Sequence, residues 1–178
     1  MKKLCLSLFF VYLFAPFLTA GTSNGFDGRW ALIPERSSAL DGWTNMHLIL
    51  KVDGGKFEIT HDMRWRSTRA IETYSVKPGR KMKVKNFFRI EQRHMAVYPH
   101  KNAVTAVSAE WLDNKRTLRV EAEVPVEVSQ GNTVMRITYE FRLGVDDDSL
   151  TLIELHSTRD QPLVYRFKKL PDGDSSRP

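Results

Sequence analysis

Apolar and polar residues alternate with a period of two along most of the chain after Trp30. The clearest run lies between Leu118 and Val128, where every second residue is apolar and most of the intervening residues are charged. A second run, between Met135 and Leu143, repeats the pattern. Because successive side chains of a strand point to opposite faces, this alternation predicts strands with one buried and one solvated face.

Turn sequences separate the predicted strands. Asp53-Gly54-Gly55-Lys56 is the strongest of them, because glycine tolerates the positive φ angles that tight hairpins require. The other turn signals follow at intervals of roughly 8–14 residues, which is typical of an up-and-down meander. The chain therefore has an all-β pattern, with about 8–10 antiparallel strands expected.

A closed barrel is the architecture that this pattern favours. A sheet of so many twisted strands tends to curl, and closure removes the exposed edges that promote aggregation. A two-sheet sandwich is the main alternative. An outer-membrane barrel is disfavoured, because the polar face carries too many charges to contact lipid. We expect one barrel domain over residues 21–170 and a disordered tail over 171–178, which is rich in Pro, Gly, Asp and Ser.

The first 20 residues have the features of a signal peptide. Lys2 and Lys3 precede an apolar stretch, and small residues precede a predicted cleavage site between Ala20 and Gly21. The apolar stretch is about 15 residues long, shorter than the roughly 20 that span a bilayer, so an uncleaved anchor is the weaker alternative. We therefore expect a periplasmic or secreted protein. Its single cysteine, Cys5, would be removed, which excludes disulfides and thiol chemistry from the mature chain.

Basic residues are concentrated in one part of the chain. The formal net charge is +6, or +4 without Lys2 and Lys3, and this modest excess does not indicate a nucleic-acid partner. Residues 64–93, however, contain ten basic and two acidic residues, a net charge of +8. Such a field attracts an anionic lipid, glycan or protein surface, although a solvated face without a partner is the alternative. The predicted patch comprises Arg64, Arg66, Arg69, Lys83, Lys85 and Arg89, with Trp65 and Phe87 as interleaved aromatics expected to be exposed.

The sequence Phe26-Asp27-Gly28-Arg29-Trp30-Ala31-Leu32, followed by Pro34 and Ser37, resembles the opening of small exported bacterial lipocalin-like proteins. Its Gly-x-Trp core is similar to the first-strand signature of lipocalins and their calycin relatives. The segment from Val164 to Lys169 resembles their last strand. This resemblance implies a barrel in which Trp30 lies at the closed end, with Arg166 or Arg159 packed across it. It implies a fold rather than an activity.

The predicted barrel interior is the candidate ligand site. A barrel of this size holds one small ligand or is filled by its own side chains, and the sequence leaves both alternatives open. Aromatic walls with a few hydroxyl groups suit an apolar or amphipathic ligand. The aromatic residues with inward parity are Phe57, Phe88, Tyr139, Phe141, Tyr165 and Phe167.

No residue pattern indicates an enzyme, a metal or a cofactor. The five histidines lack the spacing of a metal site within one element, although His61 and His156 have near-inward parity and could meet inside the barrel. The Asp146-Asp147-Asp148 run lacks the ligand spacing of a calcium loop. We therefore predict a non-enzymatic protein that binds a small ligand. The alternatives are an envelope structural or interaction protein that uses its basic outer face, and an enzyme with a site at the barrel mouth. A cleft that joins His61 or His156 to a carboxylate such as Glu154 would favour the enzyme.

Overall fold

The computed structural model describes residues 25–40, 42–85, 87, 97–100 and 102–178. Eleven β-strands and two short 3₁₀ turns, at Pro34–Arg36 and Asp113–Lys115, make up the described secondary structure. The strands are β1 (Gly28–Leu32), β2 (Asn45–Asp53), β3 (Lys56–Trp65), β4 (Thr68–Val76), β5 (Lys81–Lys85), β6 (Tyr98–Pro99), β7 (Val104–Leu112), β8 (Thr117–Val128), β9 (Gly131–Leu143), β10 (Ser149–His156) and β11 (Leu163–Lys169). In the described ranges, no helix is long and apolar enough to cross a membrane.

The strands form one antiparallel sheet that curls into a nearly closed barrel. Ten of them follow the order β4-β3-β2-β1-β11-β10-β9-β8-β7-β5, and the two-residue β6 pairs with β8. The first and last strands of the chain are hydrogen-bonded, with Trp30 opposite Lys169. Strands β4 and β5, which end the path, contact each other. The predicted all-β, up-and-down barrel is confirmed, and the sandwich alternative is wrong because one continuous path links all ten strands.

The alternation read from the sequence corresponds to the inside and outside of this barrel. On β8, Leu118, Val120 and Val124 are fully buried, whereas Glu121 and Glu123 point outward. β9 pairs with β8 along twelve residue pairs, from Thr117–Arg142 to Val128–Gly131. The inner face of the sheet is thus mostly apolar, and it supplies most of the hydrophobic stabilisation.

The barrel has two distinct ends. The lower end contains the start of β1 and the hairpin turn at Gly54 and Gly55, which adopt φ angles of 52° and 77°. The upper end contains the loop of residues 66–67, residues 97–100 with the short strand β6, and the loop of residues 157–162. These names are used below for the two ends.

Trp30 lies at the lower end, as the lipocalin resemblance implies, but a lysine packs across it. The Trp30 indole Nε1 donates a hydrogen bond to the Phe26 carbonyl at 3.0 Å. Lys169 Nζ lies 5.2 Å from the centre of the Trp30 ring. The prediction of Arg166 or Arg159 in this role is wrong. Arg166 has outward parity and donates to Thr151 Oγ1 at 2.6 Å, and Arg159 belongs to the upper loop.

The residues after β11 run back along the outside of the barrel. Arg29 donates to the Ser176 carbonyl, and Arg64 Nη1 lies 3.3 Å from the Pro178 carbonyl oxygen. These contacts cover part of the outer face of β1, β2 and β3, where His47 and Asp62 have outward parity and are nevertheless buried.

Candidate functional site

The predicted aromatic wall lies inside the barrel. Five of its six members have inward parity and are at most 1% exposed: Phe57, Tyr139, Phe141, Tyr165 and Phe167. The sixth, Phe88, lies outside the described residues, as does Arg89 of the basic patch. Their role in ligand binding stays a prediction.

Two members of this wall belong to an apolar cluster at the lower end. The Phe57 ring lies 5.5 Å from Phe26, 5.7 Å from Trp111 and 6.2 Å from Phe141, measured between ring centroids. Phe26 and Trp111 are themselves 5.5 Å apart. Edge-to-face and tilted contacts of this kind add to the energy of burial. This end of the interior is therefore closed by packed aromatic rings.

Farther toward the upper end, a row of five rings crosses the interior from β3 to β10. The ring centroids are 5.9 Å apart for His61 and Tyr74, 4.6 Å for Tyr74 and Phe87, 6.0 Å for Phe87 and Tyr139, and 6.3 Å for Tyr139 and His156. Phe87, which the sequence suggested as an exposed partner of Trp65, is buried at 2% exposure. That expectation is wrong because Phe87 follows the end of β5 and turns into the barrel.

Polar side chains accompany this row of rings. Glu154 is 1% exposed, and its Oε2 lies 3.2 Å from His156 Nε2. The hydroxyl group of Tyr74 is buried as well. We call His61, Tyr74, Glu154 and His156 the polar layer. Together with the apolar cluster below it, the polar layer makes the interior amphipathic.

The position of these residues in the sheet explains why they meet. Glu154 is paired with Tyr139 of β9 and Leu163 of β11. Tyr74 is paired with Ile59 of β3. Strand β10 is five steps from β4 along the ten-strand path, so the two strands stand on opposite walls of the barrel. The polar layer therefore spans the full width of the interior.

Burial determines the protonation of two of these groups. Desolvation lowers the pKa of His61 to about 3, because the charged imidazolium is disfavoured away from water. Desolvation raises the pKa of Tyr74 well above 10, and the nearby charge of Glu154 raises it further. At neutral pH, His61 is therefore an uncharged imidazole and Tyr74 an uncharged phenol, each able to hydrogen-bond within the interior.

The structure partly separates the residues of the predicted basic patch. Arg64 and Arg69 are cross-strand partners, whereas Lys83 and Lys85 lie on β5, which pairs with β7. The Arg69 guanidinium binds the buried Asp62 carboxylate through two hydrogen bonds, at 2.7 and 2.5 Å. This bidentate pair neutralises one of the predicted charges. Arg66, at φ 53°, lies with its guanidinium 4.9 Å from the centre of the Trp65 ring.

A separate groove of about 380 Å³ lies on the outer face of the sheet, over β7, β8 and β9. The small residues Ala106 and Ser108 form its floor, and Glu121, Glu123 and Arg136 are part of its lining. Side chains of both signs line the groove, so it lacks the net positive field predicted for the basic patch. Ala122 and Ile137, which have inward parity, also contribute to its lining.

Sequence reasoning missed Tyr74 and the inward position of Phe87, and it mentioned Glu154 only as a possible neighbour of a histidine. A signal for Glu154 was present, since it occupies an inward position between Leu152 and His156. Among the parts of the chain that the structure describes, no three His, Cys, Asp or Glu side chains are grouped as metal ligands.

No protein-family model matches the sequence, and no curated protein matches it. Solved structures do match. Human cRBP IV is 13% identical and has a TM-score of 0.51, with 81% of this chain and 97% of that chain covered. A secretory abundant heat soluble protein of Ramazzottius varieornatus is 15% identical, with a TM-score of 0.50 and coverage of 84% and 98%. The fatty-acid-binding protein isolated from Manduca sexta is 13% identical, with a TM-score of 0.44 and coverage of 80% and 98%.

The fold is that of the calycin-type barrels. At these identities the similarity concerns the fold and not the ligand. The lipocalin-like architecture expected from the Gly-x-Trp opening is thereby confirmed.

Proposed function

We propose that this calycin-type barrel is an exported, non-enzymatic protein that holds one small amphipathic ligand in its interior. The observation that carries the proposal is the amphipathic interior itself. An apolar aromatic cluster occupies the lower end, and hydrogen-bonding groups form a layer nearer the upper end. Binding sites for small molecules combine a mostly apolar wall with a few polar groups that orient the ligand.

The orientation of the ligand follows from this division. Its apolar portion lies against the inward aromatics, including Phe141 and Tyr165, and its polar head lies at the polar layer. Phe87 stands between Tyr74 and Tyr139 in the centre of the interior. Ligand entry therefore requires that the Phe87 ring move aside.

Native mass spectrometry of the protein purified from its own compartment tests this proposal, together with titration by a neutral fluorescent probe such as N-phenyl-1-naphthylamine. We expect a co-purified small molecule or saturable probe binding with one site per chain. Protein that carries no small molecule and binds no probe would reject the proposal.

Two matched variants locate the bound probe. Val120 points inward on β8 and is fully buried, whereas Ala106 lines the outer groove. Val120→Phe adds volume inside the barrel and should weaken probe binding, while Ala106→Phe should leave it unchanged. The opposite result would place the probe in the outer groove. Circular dichroism checks that Val120→Phe remains folded, since overpacking a core costs about 1–3 kcal/mol.

Export is inferred from the sequence of residues 1–20. The charged start, the apolar stretch and the small residues before Gly21 support it. The mass of the mature protein tests this inference, because cleavage predicts a chain that starts at Gly21. A full-length chain retained in the cytoplasm would contradict it.

A second role, binding of an anionic surface by the outer face, is favoured by one observation. Lys83 and Lys85 are exposed on β5. In the described part of the chain, neither forms an ion pair, so their charges are not neutralised within those ranges. Retention on anionic vesicles should weaken with salt and disappear when both lysines are changed to Glu. Retention that survives both treatments would count against this role.

A further inference from the structure

Strand β4 leaves one edge of the sheet unpaired. It ends the ten-strand path and is hydrogen-bonded to β3, with Trp65 opposite Thr68 at one end and Phe57 opposite Val76 at the other. Among the described residues, the backbone of residues 68–73 has no hydrogen bond to any strand except β3. An edge of this kind presents a row of free N–H and C=O groups, with which another strand can pair.

The same part of β4 is uncovered on both of its faces. Tyr74 and Val76 are buried in the barrel wall, whereas residues 68–73 are all exposed except Ala70, which is half-buried. Glu72 is exposed even though it lies opposite the inward-facing His61, so this part of the strand stands beyond the packed interior. We call residues 68–73 the open edge.

The sequence of the open edge suits pairing with another strand. Thr68, Ile71 and Thr73 are β-branched, and the segment contains no Pro or Lys, the residues that commonly protect an edge from pairing. Its basic residue, Arg69, binds the buried Asp62 carboxylate through hydrogen bonds of 2.7 and 2.5 Å, so its charge is neutralised. Ile71 is 53% exposed on the outer face, which leaves an apolar side chain in water at the centre of the segment.

We propose that the open edge pairs with the open edge of a second copy of this chain, in antiparallel orientation, about a two-fold axis at Ile71. Such an axis, perpendicular to the sheet, places residues of equal parity opposite each other, because side chains alternate between the two faces. The two Ile71 side chains then contact each other. Glu72 lies opposite Ala70 of the second copy, and Arg69 lies opposite Thr73.

Glu72 restricts the pairing to this register. A register centred on Glu72 would place two carboxylates directly opposite each other, which is destabilising. A register centred on Ala70 would place each Ile71 opposite Arg69, and the apolar contact would not form. The register centred on Ile71 avoids both arrangements, because each carboxylate faces a small side chain and the exposed isoleucines cover each other. A surface that matches itself in this way favours a second copy as the partner.

The direction of β4 leaves room for two barrels. The strand starts after the loop of residues 66–67 and runs toward the lower end, so the packed interior beside it begins only at Tyr74. Because the paired strands are antiparallel, the two barrels extend in opposite directions from the shared segment. Each copy contributes a short segment, so we expect a reversible dimer with a dissociation constant of about 10 μM to 1 mM. The interior ligand plays no part in this interface.

Sedimentation velocity on the unmodified full chain tests the proposal. We expect a monomer–dimer equilibrium over concentrations of about 10 μM to 1 mM. Ile71→Lys sets two like charges opposite each other and should weaken the dimer about tenfold or more. Val134→Lys makes a similar change at a residue of β9 that is 56% exposed, and it should leave the dimer unchanged. A monomer over the whole range, or equal effects of the two variants, would overturn the proposal.

Cysteine cross-linking tests the register. In a Cys5→Ser background, which removes the single cysteine of the chain, Ile71→Cys should form an intermolecular disulfide, because opposite Cβ atoms lie about 4.5–5.5 Å apart. Val134→Cys measures cross-linking by random collision. A mixture of Ala70→Cys and Glu72→Cys chains should cross-link faster than either chain alone. If Ile71→Cys cross-links no faster than Val134→Cys, or if mixing gives no increase, the proposed pairing is wrong.

Discussion

The buried imidazole of His61 makes the stability of the barrel sensitive to pH. Its side chain is 2% exposed, between Ile59 and Met63 on the inner face of β3. Burial lowers its pKa from 6.5 to about 3 in the folded state. Replacing His61 by Leu removes the titrating group and places an apolar side chain of similar size in the same position.

The sign and size of the effect follow from proton linkage. A group whose pKa is lowered by folding contributes stability that is complete above its unfolded pKa and declines as the pH falls below it. Between pH 7.5 and 5.0 the unfolded chain protonates His61 and the folded chain does not. Each pH unit below 6.5 lowers the free energy of unfolding by about 1.4 kcal/mol, so the loss at pH 5.0 is about 2 kcal/mol. That figure is the same for any folded-state pKa below about 4.

Equilibrium urea unfolding, followed by tryptophan fluorescence at both pH values, measures this loss. The stability lost by the wild-type protein between pH 7.5 and 5.0 should exceed that lost by His61→Leu by about 2 kcal/mol. Met63→Leu, the neighbouring inward position without a titrating group, should behave as the wild type. If His61→Leu loses as much stability as the wild type, the imidazole does not titrate as its burial requires.

Three further changes probe other contacts. Burial acts to raise the pKa of Glu140, but hydrogen bonds from Arg142 and Arg119 outweigh it and hold the pKa below its ordinary value. Glu140→Gln should therefore lower the free energy of unfolding by about 1–2 kcal/mol at pH 7, and this loss should shrink as the pH falls through the carboxyl pKa. Urea unfolding at pH 7 and 3.5 measures both values. Trp30→Phe removes the indole hydrogen bond and some core volume, so the free energy of unfolding of the protein should fall by about 1–3 kcal/mol. An unchanged value would mean that neither the hydrogen bond nor the packing of the indole stabilises the barrel. Tyr74→Phe removes a buried hydroxyl that has no partner among the described residues. Calorimetry should therefore find the free energy of unfolding unchanged or raised by up to about 1 kcal/mol. A marked loss of stability would indicate a partner for that hydroxyl.

The sequence determined the architecture because strand alternation is a local property. Whether a residue such as Val120 or Glu121 faces inward depends on parity alone, and parity can be counted along the chain. The turn at Gly54 and Gly55 was equally readable, since its backbone angles exclude most other residues. The buried aromatics Phe57 and Tyr139 were identified in the same way.

Relations between distant strands could not be read from the sequence. Parity indicated that His156 faces inward. However, Glu154 on β10 and Tyr74 on β4 are neighbours neither in sequence nor in strand pairing. Only the closure of the sheet places these two residues on facing walls. Likewise, Lys169 lies over Trp30 because β1 and β11, at opposite ends of the chain, are hydrogen-bonded. Local periodicity thus defined which side chains enter the barrel, and tertiary closure decided which of them meet.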